Sequence, residues 1–310
     1  MRIGVTGATG FLGRYIVNHL LREGHDCRCW CRATSDRGGF DAALGAGSAG
    51  QRDAGTGQLQ WIEGQLNDPD SNRALVRGVD AVVHAALDRP GPGFRGAEGD
   101  LVRFAEVNVI GTLRLIEAAR AAGVKRFIFI STCAVHEDIL PDRPLDETHP
   151  MWPGSHYGAH KAAIEEFIYA YGRRDGYDIC ALRPTGIYGV ARPIEKSKWY
   201  DLVQRVKRGE PIHSDRGGKE VHAADVARAV GILLTADGVA GQAYNCYDLY
   251  VSDEMVARIA KRLTGSSSEI SNLNRGPRNQ IVTDKIRKLG MTFGGEALLE
   301  RTIQELVEKG

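Results

Sequence analysis

An excess of either charge is missing from this chain. Its 310 residues carry 40 Lys and Arg against 39 Asp and Glu, a formal net charge of +1, and there is no long run of basic residues to track a phosphate backbone. Nucleic acid is therefore not an expected partner. Also missing is any run of about 18 uninterrupted apolar residues, the length a membrane-crossing helix needs, so no membrane partner is expected. The chain opens on Met1-Arg2-Ile3-Gly4-Val5, a short apolar strand without the longer apolar core and small-residue cleavage site of a secretory leader. The expectation is a soluble, cytoplasmic protein. Cysteine is scarce, with six in all. Cys27, Cys29 and Cys31 alternate along an apparent strand, which puts three thiols on one face. We read them as buried small apolar groups, since zinc sites usually come as C-x-x-C knuckles in loops. Cys133, Cys180 and Cys246 are scattered singly, and no metal is expected.

What is there is alternation. Short β-branched apolar runs, at 2–6, 27–31, 58–63, 81–85, 126–131 and 179–183, are separated by longer amphipathic stretches. That pattern predicts repeated βαβ units and a doubly wound, mainly parallel sheet of the Rossmann kind. Helical spacing marks 11–22, which ends at Gly24, 107–122, which ends at Gly123, and 157–171. Residues 37–57 are rich in Gly and Ala with little periodicity and read as an insertion, and 88–99 form a second loose stretch after a strand end. Past Pro184 the alternation weakens, and a smaller C-terminal α/β substrate lobe is expected. The division is 1–184 with 219–248 for the dinucleotide-binding domain and 185–218 with 249–310 for the lobe, with 220–234 and 242–246 returning to the main sheet. His84 lies in a strand and reads as a satisfied core group.

The first strand runs straight into Thr6-Gly7-Ala8-Thr9-Gly10-Phe11-Leu12-Gly13 and then a helix. Gly7 can take a turn with positive φ, Gly10 lets the backbone approach a pyrophosphate, and Gly13 lets the helix pack close on the strand. The helix start adds free N–H groups and a positive dipole end, so Thr9, Phe11 and Leu12 join the three glycines as cofactor-binding residues. At the end of the second strand stands Arg32, followed by Ala33-Thr34-Ser35-Asp36. A guanidinium and a nearby hydroxyl suit a 2′-phosphate and favour NADP, while Asp36 keeps NAD open.

Tyr157 and Lys161 stand at i and i+4, one above the other on a helix face. A free Tyr titrates near 10, too high for efficient proton exchange at neutral pH, and a neighbouring ammonium lowers that value by stabilising the phenolate.

The motifs TGATGFLG (6–13), VVHAA (82–86), NVIGTLRLIEAA (108–119), VKRFIFIST (124–132), PLDETHP (144–150), SHYGAHKAA (155–163), ALRPTGIYG (181–189) and VHAADVA (221–227) follow in order along nearly the whole chain. In these motifs and their spacing it resembles the extended short-chain dehydrogenases/reductases of the NAD-dependent epimerase/dehydratase family. The resemblance implies Tyr157 as general acid/base, Lys161 as the residue that holds the nicotinamide ribose and depresses the Tyr pKa, and Thr132 as a hydrogen-bond partner of the reacting oxygen. It implies that Asn108 helps seat the cofactor, that Ala85 and Ala86 pass under its pyrophosphate and ribose, that Gln65 and Leu66 border the adenine, and that Pro184 joins the cofactor-binding set. Cys133, His136, Thr185 and Arg216 are the expected substrate-binding residues. Dehydratases of the family follow the Ser/Thr with an Asp-Glu pair that expels a hydroxyl. Cys133 and Ala134 stand there, which disfavours dehydration. Nucleotide-sugar enzymes usually carry an Arg shortly before the V-H dipeptide, where this chain has Gly217-Gly218-Lys219-Glu220, with Arg216 displaced and Arg275 and Arg278 as possible substitutes.

The expected activity is NAD(P)-dependent hydride transfer at a hydroxyl or carbonyl carbon of a sugar, nucleotide sugar or related small molecule, as a reductase/dehydrogenase or an epimerase. The alternative is a non-catalytic NAD(P)-binding sensor or scaffold. The family resemblance also implies a homodimer built from the helices bearing Asn108 and Tyr157.

Overall fold

A computed structural model describes residues 1–40, 57–91, 96, 98–273 and 276–310. Most of the insertion expected at 37–57, part of the loop at 88–99, and Arg275 lie outside the described residues. The chain divides into two compact units, one of Met1–Pro184, Val226–Cys246 and Val282–Met291, the other of Thr185–Asp225, Tyr247–Ile281 and Thr292–Gly310.

The first unit is built on seven strands: β1 (Arg2–Thr6), β2 (Asp26–Cys31), β3 (Leu59–Glu63), β4 (Ala81–His84), β5 (Arg126–Ile130), β6 (Asp178–Pro184) and β9 (Gln242–Cys246). Their order is β3-β2-β1-β4-β5-β6-β9 and every pairing is parallel. A parallel sheet is covered on both faces, which is why β5 reads as an unbroken apolar run, with Phe127, Ile128 and Phe129 all buried. Around it stand α1 (Phe11–Arg22), α2 (Pro69–Val76), α3 (Leu101–Ala105), which passes through a π-turn at Glu106–Ile110 into α4 (Gly111–Ala121), and α5 (His156–Arg174). Leu115 and Ile116 of α4 and Ile164 and Ile168 of α5 pack with Phe127, Phe129 and Ile179 in one core cluster. Each such side chain contributes roughly 1.5–3 kcal/mol by leaving water. Cys27, Cys29 and Cys31 of β2 are buried too, and burial pushes the Cys27 thiol up to about 12. The winding reverses between β1 and β4, and ligands of such sheets sit at the carboxyl ends of the strands flanking that point.

The second unit holds a three-stranded sheet in the order β10-β8-β7, from β7 (Gly186–Tyr188), β8 (Gly217–His222) and β10 (Leu249–Ser252). This corrects the expectation for the strand part of the segment at 220–234, which does not return to the main sheet, whereas residues 226–234 do lie in the first unit. The strand part pairs instead parallel with β7 and antiparallel with β10. The reason is that β9 takes the ladder on the outer side of β6, so that strand has no edge left to offer. The segment at 242–246 does join the main sheet as β9. Residues 219–225 accordingly lie in the second unit and 282–291 in the first. Helices α6 (Tyr200–Lys207), α7 (Ala223–Thr235), α8 (Asp253–Thr264), α9 (Asp284–Arg287) and α10 (Gly295–Lys309) complete the chain. Tyr188, Val203, Val256, Leu299 and Ile303 form the second unit's core. Among the described residues no helix is long and apolar enough to cross a membrane.

Candidate active site

The glycine turn is shaped by what has no room in it. Gly7 has φ +69, and a Cβ there would lie 2.7 Å from the Ala85 carbonyl and 2.8 Å from the Ala86 nitrogen. A Cβ at Gly13 would stand 2.0 Å from the Gly7 oxygen, and one at Gly10 3.2 Å from it. Gly10 donates its N–H to that oxygen at 3.0 Å. α1 begins at Phe11 with no side-chain cap and no acidic residue in its first turn, so the N–H groups around Phe11 and Leu12 stay open to an anion. A backbone cradle with uncapped donors fits a dinucleotide pyrophosphate.

Beside the cradle runs a chain of buried hydrogen bonds. Ala85 and Ala86 donate their N–H groups to Thr6 Oγ1 at 3.2 and 3.1 Å. Burial, helped by the charge of Lys161, pulls His84 down to about 3, so its ring is neutral. Thr112 Oγ1 donates to the Asn108 carbonyl at 2.6 Å. His84 Nε2 must then donate to Thr112 at 2.9 Å, and Nδ1 accepts from Thr6 Oγ1 at 2.6 Å. His84 is the satisfied core group its strand position predicts. The chain leaves Ala85 and Ala86 with no backbone donor for a ligand, so they serve as a small apolar wall. Asn108, 3% exposed, accepts from the Asp88 N–H and donates to its carbonyl, both at 2.8 Å.

At the edge of the cradle Arg32 pairs with Asp88 at 3.5 Å. Its N–H donates to Ser35 Oγ at 3.0 Å. Asp36 is engaged by Arg14 at 3.2 Å and by the Gly38 N–H. Gln65 makes a backbone contact to Ser71 Oγ at 3.4 Å, and Leu66 packs on the core.

The residues expected to handle protons come from two neighbouring elements. Thr132 follows β5 and is 8% exposed, with Oγ1 accepting from the Ala134 N–H at 3.2 Å in a short 3₁₀ turn. α5 starts one residue before Tyr157, capped by Ser155 Oγ, which accepts from Gly158 N–H at 3.1 Å. Gly158 lets that first turn close on the Thr132 turn, since a Cβ there would lie 2.5 Å from the Ala134 oxygen. Lys161 is buried at 5% exposure. Its Nζ donates to the Ile130 carbonyl at 2.8 Å and sits 4.4 Å from the Phe129 ring centroid. Burial pulls its pKa down to about 7, with Glu165 opposing. One lysine thus ties the helix of Tyr157 to the strand that leads to Thr132.

Behind them lies a polar group that sequence reasoning missed. Glu165, one turn beyond Lys161, pairs with Arg183 of β6 at 2.7 Å and accepts from Ser131. A lone Arg in the buried run ALRP was the available signal, because such a charge needs a partner. Arg183 also donates to His136 Nε2 at 2.9 Å, while His136 Nδ1 donates to the Pro150 carbonyl at 3.1 Å. Burial first, then Arg183, pushes His136 down to about 4. Cys133 Sγ donates to the Arg183 carbonyl at 2.9 Å, and burial pushes its thiol up to about 12. Both expected substrate residues therefore have their polar atoms engaged in this group. Pro184 ends β6 opposite Cys246. In the second unit Thr185 Oγ1 is buried without a hydrogen-bond partner, and Arg216 is exposed at the rim of a cavity of about 750 Å³ that His213, Asp253 and Asn272 also line.

A backbone cradle at a sheet switch point, with Thr132, Tyr157 and Lys161 on the adjoining elements, is the arrangement expected of a dinucleotide-dependent enzyme. The chain belongs to the NAD dependent epimerase/dehydratase family, whose model matches residues 3–246. A dTDP-D-glucose 4,6-dehydratase of Mus musculus is 30% identical over 311 residues, which cover 93% of this chain and 83% of that one. Among solved structures, a UDP-glucose 4-epimerase of Thermus thermophilus in complex with NAD superposes with a TM-score of 0.77 at 23% identity, covering 100% of both chains. DesIV, a dTDP-glucose 4,6-dehydratase from Streptomyces venezuelae with NAD and TYD bound, gives 0.75 at 25% identity over 98% of this chain and 96% of that one.

Proposed function

We propose that this protein is an NAD(P)-dependent reductase/dehydrogenase or epimerase that acts on a hydroxyl or carbonyl carbon of a sugar or nucleotide sugar. The observation that carries the reading is the anchoring of buried Lys161 on the Ile130 carbonyl, four residues along the helix from Tyr157 and two residues before Thr132. When bound, the nicotinamide supplies or accepts the hydride at the reacting carbon. Tyr157 holds or releases the proton at the substrate oxygen through its phenolic oxygen. Thr132 Oγ1 donates to that oxygen and orients it. In its protonated form Lys161, with one hydrogen committed to Ile130, offers its other two to the cofactor ribose and the Tyr157 side. The Asp-Glu acid pair is absent after Thr132. Cys133 does not replace it, because its thiol is held neutral and bonded to Arg183. That argues against dehydration although relatives include dehydratases.

Arg32 and the Ser35 hydroxyl support NADP, and the NAD complexes of the solved neighbours support NAD as the second reading. A homodimer is part of the proposal, supported by exposed Val102 (69%), Ile110 (42%) and Phe167 (44%) on the helical segments flanking Asn108 and on the helix of Tyr157.

The deciding assay follows UDP-glucose and dTDP-glucose with NAD and NADP. A stoichiometric change at the nicotinamide absorbance band means net redox, and turnover without it means epimerisation. Tyr157→Phe should cut turnover by roughly 10²- to 10⁴-fold while dinucleotide affinity holds. Unchanged turnover in that variant overturns the catalytic assignment.

A further inference from the structure

We propose that Asp88 sets which dinucleotide the site prefers, by holding the Arg32 guanidinium against a 2′-phosphate. The inference rests on the dinucleotide reading of the cradle and concerns a residue that no motif singled out. β2 and β4 flank β1 in a parallel arrangement, so their carboxyl ends lie on either side of the glycine turn. Arg32 directly follows β2, and Asp88 lies in the loop after β4. Their ion pair at 3.5 Å bridges the two strands where the turn begins.

The placement of Asp88 is enforced from below. Asn108, buried under the loop, grips both backbone groups of Asp88 with two 2.8 Å hydrogen bonds, and this fixes the backbone from which the carboxylate projects. The pair itself is not a stability device. Arg32 is 66% exposed in its side chain and Asp88 33%, and such pairs add at most about 1 kcal/mol to a fold. A second cation, Arg103, stands 3.9 Å from the same carboxylate. The other acid near this rim, Asp36, is taken by Arg14 and Gly38.

The chemistry follows from charge. A ribose with a free 2′-hydroxyl demands nothing of Arg32 and can donate to a carboxylate. A 2′-phosphate brings close to two negative charges, must draw Arg32 from Asp88, and then meets the remaining carboxylate as a repulsive neighbour. Asp88 thereby offsets the phosphate-seeking character that Arg32 and Ser35 confer.

The test is a binding measurement on the full chain, with NAD and NADP titrated separately by calorimetry. Asp88→Asn should raise the affinity for NADP relative to NAD about tenfold, the scale of removing one charge a few ångströms from another in a solvated site. Arg32→Gln should move the ratio the opposite way. A ratio that stays within about twofold of the parent in Asp88→Asn, or that moves toward NAD, overturns the proposal. If Asp88→Asn does not fold, an Arg32→Gln ratio unchanged from the parent overturns it equally, since the pair would then have no hold on the 2′ position. The readout needs no turnover. A protein that binds both dinucleotides but has no Tyr157-dependent activity would refute the enzymatic reading and leave this one intact.

Discussion

At the scale of single residues, Lys161 has the clearest energetic signature. Its folded pKa is about 7 against an ordinary lysine value of 10.5, chiefly because burial disfavours the charged form. Between those values the unfolded chain holds a proton that the folded chain has released, so stability rises with pH as the penalty is relieved. Below the folded value both states are charged and the penalty is fully present. Above pH 9 Cys133 and the buried Cys180 oppose the trend, since their raised folded pKa values mean the unfolded state loses protons first. The cofactor-free protein should therefore gain on the order of 1–2 kcal/mol between pH 7 and 9. Urea denaturation at stepped pH reads this gain, and Lys161→Met should flatten it. A parent protein with a flat profile in that window would refute the burial argument.

At the scale of elements, glycines decide where helices can stand. Gly158 separates the first turn of α5 from the Ala134 oxygen by the width of a missing methyl group. Gly158→Ala should destabilise the protein by about 1–3 kcal/mol as the turn is pushed off. Turnover should fall roughly tenfold to a hundredfold, because Tyr157 moves with the turn relative to Thr132. Thermal melts and steady-state kinetics measure the two effects. The elements that hold the candidate site were the legible ones. β1, α1, and the helix of Tyr157 announce themselves through periodicity and caps, and their bounds match the sequence reading within a few residues. The β8 pairing was not legible, since Gly217-Gly218-Lys219-Glu220 says that a strand is possible but not which edge is vacant. The π-turn at Glu106–Ile110 was likewise hidden, because 107–122 has ordinary helical spacing and only the inward aim of Asn108 betrays the extra residue.

For the whole molecule, the proposed homodimer rests on the exposed apolar residues of α3, the π-turn and α5. Phe167→Asp should shift the protein toward monomer in sedimentation velocity while leaving dinucleotide affinity intact, and an unchanged sedimentation coefficient would place any dimer contact elsewhere. The Arg32–Asp88 contact illustrates why part of the site escaped sequence reasoning. The two are 56 positions apart (88 − 32) and meet only because β1 lies between their strands. Spacing arguments reach along one helix or one turn, whereas such pairs are made by sheet order.

The interleaving of the two units bears on how the chain is made. It passes from one unit to the other at 184, 225, 246, 281 and 291, and the strand that covers β6 is β9. A nascent chain that has emerged only through residue 184 holds β6 with a bare outer edge, a template for pairing with another copy. That edge stays open until β9 has left the ribosome. A fragment cut after Pro184 would carry the same hazard permanently, so this protein is to be handled as one piece and not as separable modules.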